Sequence, residues 1–180
     1  MSRSHLKLLV VLLLSLVAAS VVRGETTANR SANAVSDRVA AHARLVDEVE
    51  RAIAEGDSRQ GLESAEQALV LAQAIEDPIR IGATHSLLAQ LRDRLGEDDL
   101  ARAEFERARL ALAGEPALAL ANRLNQANFE AARGAWGAAI EAYREVADGA
   151  RRRGDVELEA RARANAVSYT HLTLPTNREV

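Results

Sequence analysis

The stretch from Gly134 to Ala147 reads GAWGAAIEAYREVA and has a clear helical pattern. Its apolar side chains recur three and four residues apart, which is the spacing of one face of an α-helix. The glycine that opens the stretch allows a preceding helix to end in a left-handed residue. We therefore expect a helix over residues 135–153 whose buried stripe contains Trp136, Ala139, Ile140, Tyr143, Val146 and Ala147.

The same stripe occurs twice more along the chain, at a spacing of about 38 to 40 residues. The coinciding positions are Gly61, Ala101 and Ala139; then Ala65, Phe105 and Tyr143; then Ala68, Ala108 and Val146. In the helices that come before two of these stripes, Ala89 corresponds to Ala127. A period of this length is typical of a solenoid built from stacked helix pairs.

Glycine and proline mark the predicted helix ends. A glycine follows each of several helical runs, at Gly56, Gly96 and Gly134, and Pro78 and Pro116 stand where other runs begin. The predicted pairs are residues 34–55 with 57–76, 78–95 with 97–113 and 116–133 with 135–153, followed by a seventh helix from Asp155. The sequence thus predicts an all-α fold, an antiparallel helix-pair solenoid of about three and a half repeats, over residues 34–166.

This pattern resembles the tetratricopeptide repeat, in its long-repeat form. The resemblance rests on a small residue in the first helix of a pair, a glycine before the second helix, and then the pattern small-x-x-x-aromatic-x-x-small within the second helix. The stretch GAWGAAIEAYREVA fits this pattern best. The first pair fits it least, because Ala65 stands in place of the aromatic residue. It implies a superhelix in which small residues allow close helix approach. The implied packing positions are Ala89, Ala101, Phe105, Ala108, Ala127, Trp136, Ala139 and Tyr143.

The resemblance also implies a peptide-binding groove lined by the first helix of each pair. Asparagines often stand on that face in the long-repeat branch, where an amide can pair with the backbone of a ligand. The candidates are Asn122, Asn125 and Asn128 in the first helix of the third pair and Asn165, which stands 40 residues after Asn125. The alternative is that these amides are solvated or satisfy a carbonyl of a neighbouring helix.

The first 24 residues have the layout of a secretory signal peptide. Arg3 and Lys7 precede an apolar run, and small residues follow at Ala18, Ser20 and Gly24. A membrane anchor is the alternative, but the run of about 15 residues is shorter than the ~20 that cross a bilayer. We expect cleavage, a linker at residues 25–33, no stable membrane span after cleavage, and a periplasmic or extracellular location in a bacterium. The chain has no cysteine, so this exported fold would form without disulfides.

The last residues, 167–180, break the helical pattern. The segment VSYTHLTLPTNREV contains β-branched residues and Pro175, and its reverse translation resembles the transposase mosaic end and adapter of a sequencing library. We interpret it as a non-native tail derived from that adapter. The natural chain would then continue beyond Ala166, and the truncated seventh helix could cause self-association of the fragment.

The residues that could carry chemistry do not form a recognisable constellation in the sequence. His42 and His85 stand alone on separate helices, so we expect no metal site. We find no phosphate loop or nucleophile motif and expect neither a cofactor nor catalysis by this fragment. The net charge of −3 becomes more negative when the basic leader is removed, which argues against nucleic acid as a partner.

Three functions remain open from the sequence. The first is an exported scaffold that binds a protein or peptide in its groove. The second is the regulatory N-terminal region of a larger enzyme, such as a CHAT (caspase-like) peptidase, whose catalytic domain would lie beyond this chain. The third is an oligomerisation module of an envelope or secretion complex.

Overall fold

The computed structural model describes residues 31–173, with side chains up to residue 170. The predicted signal peptide and residues 25–30 of the predicted linker lie outside this range. The chain divides into two compact units at residue 40. The described part of the first unit, residues 31–40, is helical, including residues 31–33 of the predicted linker. The second unit begins at Ala41.

The prediction of an all-α fold is confirmed, since residues 31–173 contain helices and turns and no strand. Each helix packs against the next one in the chain, and the short turns between them make neighbours antiparallel. The helices are α1 (31–55), α2 (Ser58–Ile75), α3 (Pro78–Arg94), α4 (Asp98–Ala111), α5 (Pro116–Ala132), α6 (Trp136–Arg153) and α7 (Val156–Thr173). These bounds lie within a few residues of the predicted ones.

The turns explain why the helices end where they do. Gly56, Gly96, Gly134 and Gly154 all have φ between +73° and +82°, a conformation that costs little only for glycine. Glu76, at the end of α2, has φ +59° and is the exception among the described residues. Asp77 then caps α3, since its side chain accepts from the backbone of Ile79 and Arg80.

Small residues occupy the close contacts between helices. The predicted packing positions Ala89, Ala101, Phe105, Ala108, Ala127, Ala139 and Tyr143 are buried, each no more than 1% exposed. Trp136 differs from this expectation, because it is 38% exposed. It is the first residue of α6, one turn before the buried Ala139, and a helix end is covered by fewer neighbours than a helix centre.

Helix α7 continues past Ala166 to Thr173, through residues where the sequence shows no helical pattern. Extending an existing helix costs far less than starting one, so weak helix formers can follow the Ala- and Arg-rich turns before them. The ring of Tyr169 stacks on Tyr143, with centroids 5.9 Å apart. The adapter origin of residues 167–180 remains a prediction.

Candidate functional site

The first helices of the pairs share one surface. Helix α3 contacts α5, and α5 contacts α7, whereas the second helices α2, α4 and α6 make no contact with one another within the described elements. We call the surface formed by α3, α5 and α7 the first-helix face. It is the surface on which the sequence predicts a binding groove, and the four candidate asparagines belong to its helices.

Asn122 does not lie where a ligand could reach it. Its side chain is buried, 2% exposed, and its Nδ2 donates to the backbone oxygen of Phe105 in α4 at 3.2 Å. Its Oδ1 is buried without a hydrogen-bond partner in the described residues. The groove interpretation of Asn122 is therefore wrong, and the alternative applies: the amide ties α5 to a carbonyl of the preceding pair, since an unpaired buried amide is costly.

Asn128 and Asn165 meet across the first-helix face. Asn165 Nδ2 donates to Asn128 Oδ1 at 2.9 Å, and the hydroxyl of Tyr143 donates to the same oxygen at 2.8 Å. Burial raises the pKa of Tyr143 to about 12, helped by Tyr169 and opposed by Asn165, so the phenol keeps its proton and remains a donor at neutral pH. One amide oxygen thus receives two hydrogen bonds, while the NH₂ group of Asn128, an exposed residue, makes no hydrogen bond with the described residues.

Asn125 lies one turn before Asn128 on α5 and is partly exposed. The repeat spacing matches it with Asn165, yet the contact that forms is between Asn165 and Asn128. Repeat spacing gives equivalent positions along two helices, but the contact depends on how far one helix is shifted along the other. Of the three candidate asparagines of α5, Asn125 and Asn128 are thus the ones whose amides reach solvent.

The two histidines lie in separate buried contacts, as their sequence positions suggest. His42 Nε2 lies 3.1 Å from the hydroxyl of Thr84, which itself donates to the backbone oxygen of Arg80 at 2.7 Å. That hydroxyl must therefore accept from His42 Nε2. Burial, together with the charge of Arg80, lowers the pKa of His42 against the opposing effect of Asp77, so the ring is neutral at neutral pH.

His85 faces a buried carboxylate on the next helix. Its Nδ1 lies 2.6 Å from Glu104 Oε2, and Arg107 donates to Glu104 Oε1 at 2.6 Å. Burial raises the pKa of Glu104, but the hydrogen bond from His85 and the charges of Arg107 and Arg92 outweigh it, so this pKa is lowered. An ionised carboxylate only accepts, so His85 Nδ1 carries the proton. The described residues contain no cluster of three ligands that could hold a metal ion.

The charged clusters at the helix ends have structural roles. Asp98 and Asp99 lie in the first turn of α4, and Arg151–Arg153 end α6, as expected for charges that complement a helix dipole. Asp98 also pairs with Arg133, whose guanidinium lies 2.9 Å from Asp93 and 3.8 Å from the centre of the Phe129 ring. Arg133 thus joins the third pair to the second.

The sequence reading missed a cleft between α4 and α6. It holds about 750 Å³, and α5 forms its floor. The feature of the sequence that could have indicated this cleft is Gly149, a glycine within the predicted helix α6. A β-carbon added at Gly149 would lie 2.7 Å from Leu120, so the missing side chain allows the close approach that shapes the floor.

A search of protein-family models and of curated protein sequences finds no match for this chain. Within residues 31–173, no helix is long and apolar enough to cross a membrane. The functional interpretation therefore depends on the surfaces described above.

Proposed function

We propose that this protein is an exported tetratricopeptide-type scaffold that binds an extended segment of a partner protein or peptide along its first-helix face. The observation that carries the proposal is the amide cluster of Asn125, Asn128 and Asn165 on helices that contact one another in series. An amide offers both a donor and an acceptor, which is what the backbone of an extended peptide requires.

The contacts of Asn128 support this role. Its oxygen is held by Tyr143 and Asn165, so the orientation of the amide is fixed before a ligand arrives. A preorganised group loses less side-chain entropy on binding than a free one. Asn125 lies beside it without a hydrogen bond to the described residues, so it is available to a ligand.

A peptide selection tests the proposal. Random peptides displayed on phage would be selected on the purified chain, and the affinity of an enriched peptide would be measured by fluorescence anisotropy. We expect Asn125→Ala to weaken binding about tenfold, as loss of one or two ligand hydrogen bonds predicts. Gln73→Ala is the matched control, because Gln73 is an exposed amide on the second helix α2.

Three results would overturn the proposal. One is the absence of any enriched peptide. Another is an enriched peptide whose affinity is the same for the wild type, Asn125→Ala and Asn128→Ala. A peptide that responds to Gln73→Ala but not to Asn125→Ala would place binding on the wrong surface.

A further inference from the structure

The cleft between α4 and α6 lies on the second-helix side of the unit, away from the amide cluster. Its floor is apolar and consists of Pro116, Ala119 and Leu120 of α5. Leu120 is only partly buried although it packs on Gly149. A concave apolar floor of this size with charged groups at its edge is the usual form of a binding surface.

The rim of the cleft carries an excess of positive charge. Arg109 pairs with Glu106 at 2.6 Å and Arg123 pairs with Glu145 at 3.1 Å, so these charges are balanced. Arg152 and Arg153 also line the cleft, and neither makes an ion pair or hydrogen bond with the residues that the structure describes. The C-terminal end of α6 explains the two basic residues, because positive charge complements the helix dipole there. It does not explain why an apolar floor lies beside them.

A surface of complementary character lies on α2. Glu63, Glu66 and Val70 occur at helical spacing on one exposed stripe, which spans roughly 10 Å at 1.5 Å per residue. Val70 is 64% exposed, a large value for an apolar side chain. Glu66 reaches Arg92 at 3.4 Å yet remains more than half exposed, and Glu63 makes no ion pair in the described part of the chain.

We propose that the α2 stripe of one copy docks in the α4–α6 cleft of a second copy. Val70 would rest on the floor at Leu120, and Glu63 and Glu66 would face Arg152 and Arg153. The charges of the two surfaces are opposite, and each surface supplies an apolar patch that the other can cover. The occupant is therefore a second copy of this chain.

The proposed contact is heterologous, because two different surfaces of the same chain meet. Both surfaces of one copy can then be occupied at once, and association continues from copy to copy rather than stopping at a dimer. One helix stripe in one cleft buries less than the roughly 1,200 Å² of a stable interface, so association is weak and dependent on concentration.

Sedimentation velocity over a hundredfold range of concentration tests the proposal, with the chain purified as it accumulates in an exporting bacterial host. We expect the sedimentation coefficient of the wild type to rise with concentration and the rise to shrink in 1 M salt. Arg152→Glu/Arg153→Glu and Glu63→Arg/Glu66→Arg should each weaken association at least tenfold. A mixture of these two double variants should restore it, because each cleft then meets a stripe of opposite charge.

Matched controls separate this contact from general stickiness. Arg144→Glu/Arg151→Glu makes the same charge change on α6 outside the cleft, and Val156→Asp removes an exposed valine elsewhere; both should associate like the wild type. Val70→Asp, in contrast, should associate more weakly than the wild type. A monomeric wild type at every concentration overturns the proposal, and so does a mixture of charge-reversed variants that fails to associate while both variants remain folded by circular dichroism.

Discussion

The second and third helix pairs have the same architecture but stabilise their interiors differently. In the α3–α4 pair, His85 Nδ1 donates a buried hydrogen bond to the carboxylate of Glu104. The corresponding residues of the α5–α6 pair are Arg123, which reaches the surface and pairs with Glu145, and the buried Ala142. The repeat therefore fixes where side chains lie, while a buried contact at equivalent positions is polar in one pair and apolar in the next.

The two pairs also differ in which helix provides the bulky side chain. In the second pair, Gly82 on the first helix leaves space for Leu112 after the second helix; a β-carbon at Gly82 would lie 2.5 Å from Leu112. In the third pair the arrangement is reversed, since Leu120 on the first helix packs on Gly149 of the second. Each pair therefore combines one large side chain with one glycine, in opposite order.

Of the changes that test this difference between the pairs, removing the buried carboxylate of Glu104 should have the largest effect on stability. Glu104→Ala places at this position the residue that the third pair has at Ala142. We expect it to lower the free energy of unfolding by about 3 kcal/mol, because Arg92 and His85 lose a buried partner. Urea denaturation of the full chain measures the change.

A double variant tells whether the loss comes from a broken pair. His85→Leu/Glu104→Leu should recover the part of the loss that comes from His85, since replacing both partners of the hydrogen bond by apolar groups leaves no unsatisfied imidazole. Arg92 keeps its contacts with Glu66 and Glu97. Glu106→Ala, which removes an exposed carboxylate two residues away, should leave the stability unchanged. Equal losses in the single and double variants would contradict the assigned role of the pair.

Moving the bulky side chain of the second pair from the end of α4 to α3 should have the next largest effect on stability. Gly82→Leu alone should destabilise the protein by about 1–3 kcal/mol through overpacking against Leu112. The triple variant Gly82→Leu/Ala111→Gly/Leu112→Ala copies the arrangement of the third pair and should recover most of that loss. The melting temperatures of the two variants measure the outcome, and a triple variant as unstable as the single one would show that the two arrangements are not interchangeable.

Acid should weaken the second pair before the third. The pKa values of His42 and Glu104 are both lowered in the folded state. Each group therefore contributes stability that is present above its unfolded pKa and lost as the pH falls through its folded pKa. We expect stability to decline below pH 6.5 through His42 and further below pH 4.5 through Glu104.

Chemical denaturation at several pH values measures these two contributions. His42→Gln should flatten the upper part of the profile, and His85→Leu/Glu104→Leu should flatten the lower part. A wild-type profile that is flat from pH 7 to pH 4 would contradict both assignments.

The smallest expected effect concerns a helix end. Glu76 adopts the left-handed conformation that glycine adopts at Gly56, Gly96, Gly134 and Gly154. Glu76→Gly should raise the free energy of unfolding by about 0.5–1 kcal/mol, because it removes the steric cost of a β-carbon there. Glu55→Gly, one residue before the turn glycine and still helical, should lower it by about the same amount. The two variants are compared by urea denaturation, and opposite signs are the expected result.

The sequence predicted the helices more accurately than the contacts between them. Gly96 and Pro116 mark a helix end and a helix start that the structure confirms. Trp136 is more exposed than the other predicted packing residues, because periodicity gives the face of a helix but not how deeply each of its turns is covered. Asn122 was assigned wrongly to the groove. It lies on a first helix as predicted, but its side-chain amide donates to the backbone oxygen of Phe105 in the preceding helix.

The helices, their ends and the repeat of helix pairs can be read from the sequence, because capping, glycine turns and the spacing of apolar residues act over a few residues. Which side chains meet depends on how the helices pack in three dimensions. The pairing of Asn128 with Asn165 depends on the shift of α7 along α5, and the cleft depends on the gap between α4 and α6. These contacts join residues far apart in the chain, and their geometry follows from helix packing, which the local pattern does not encode.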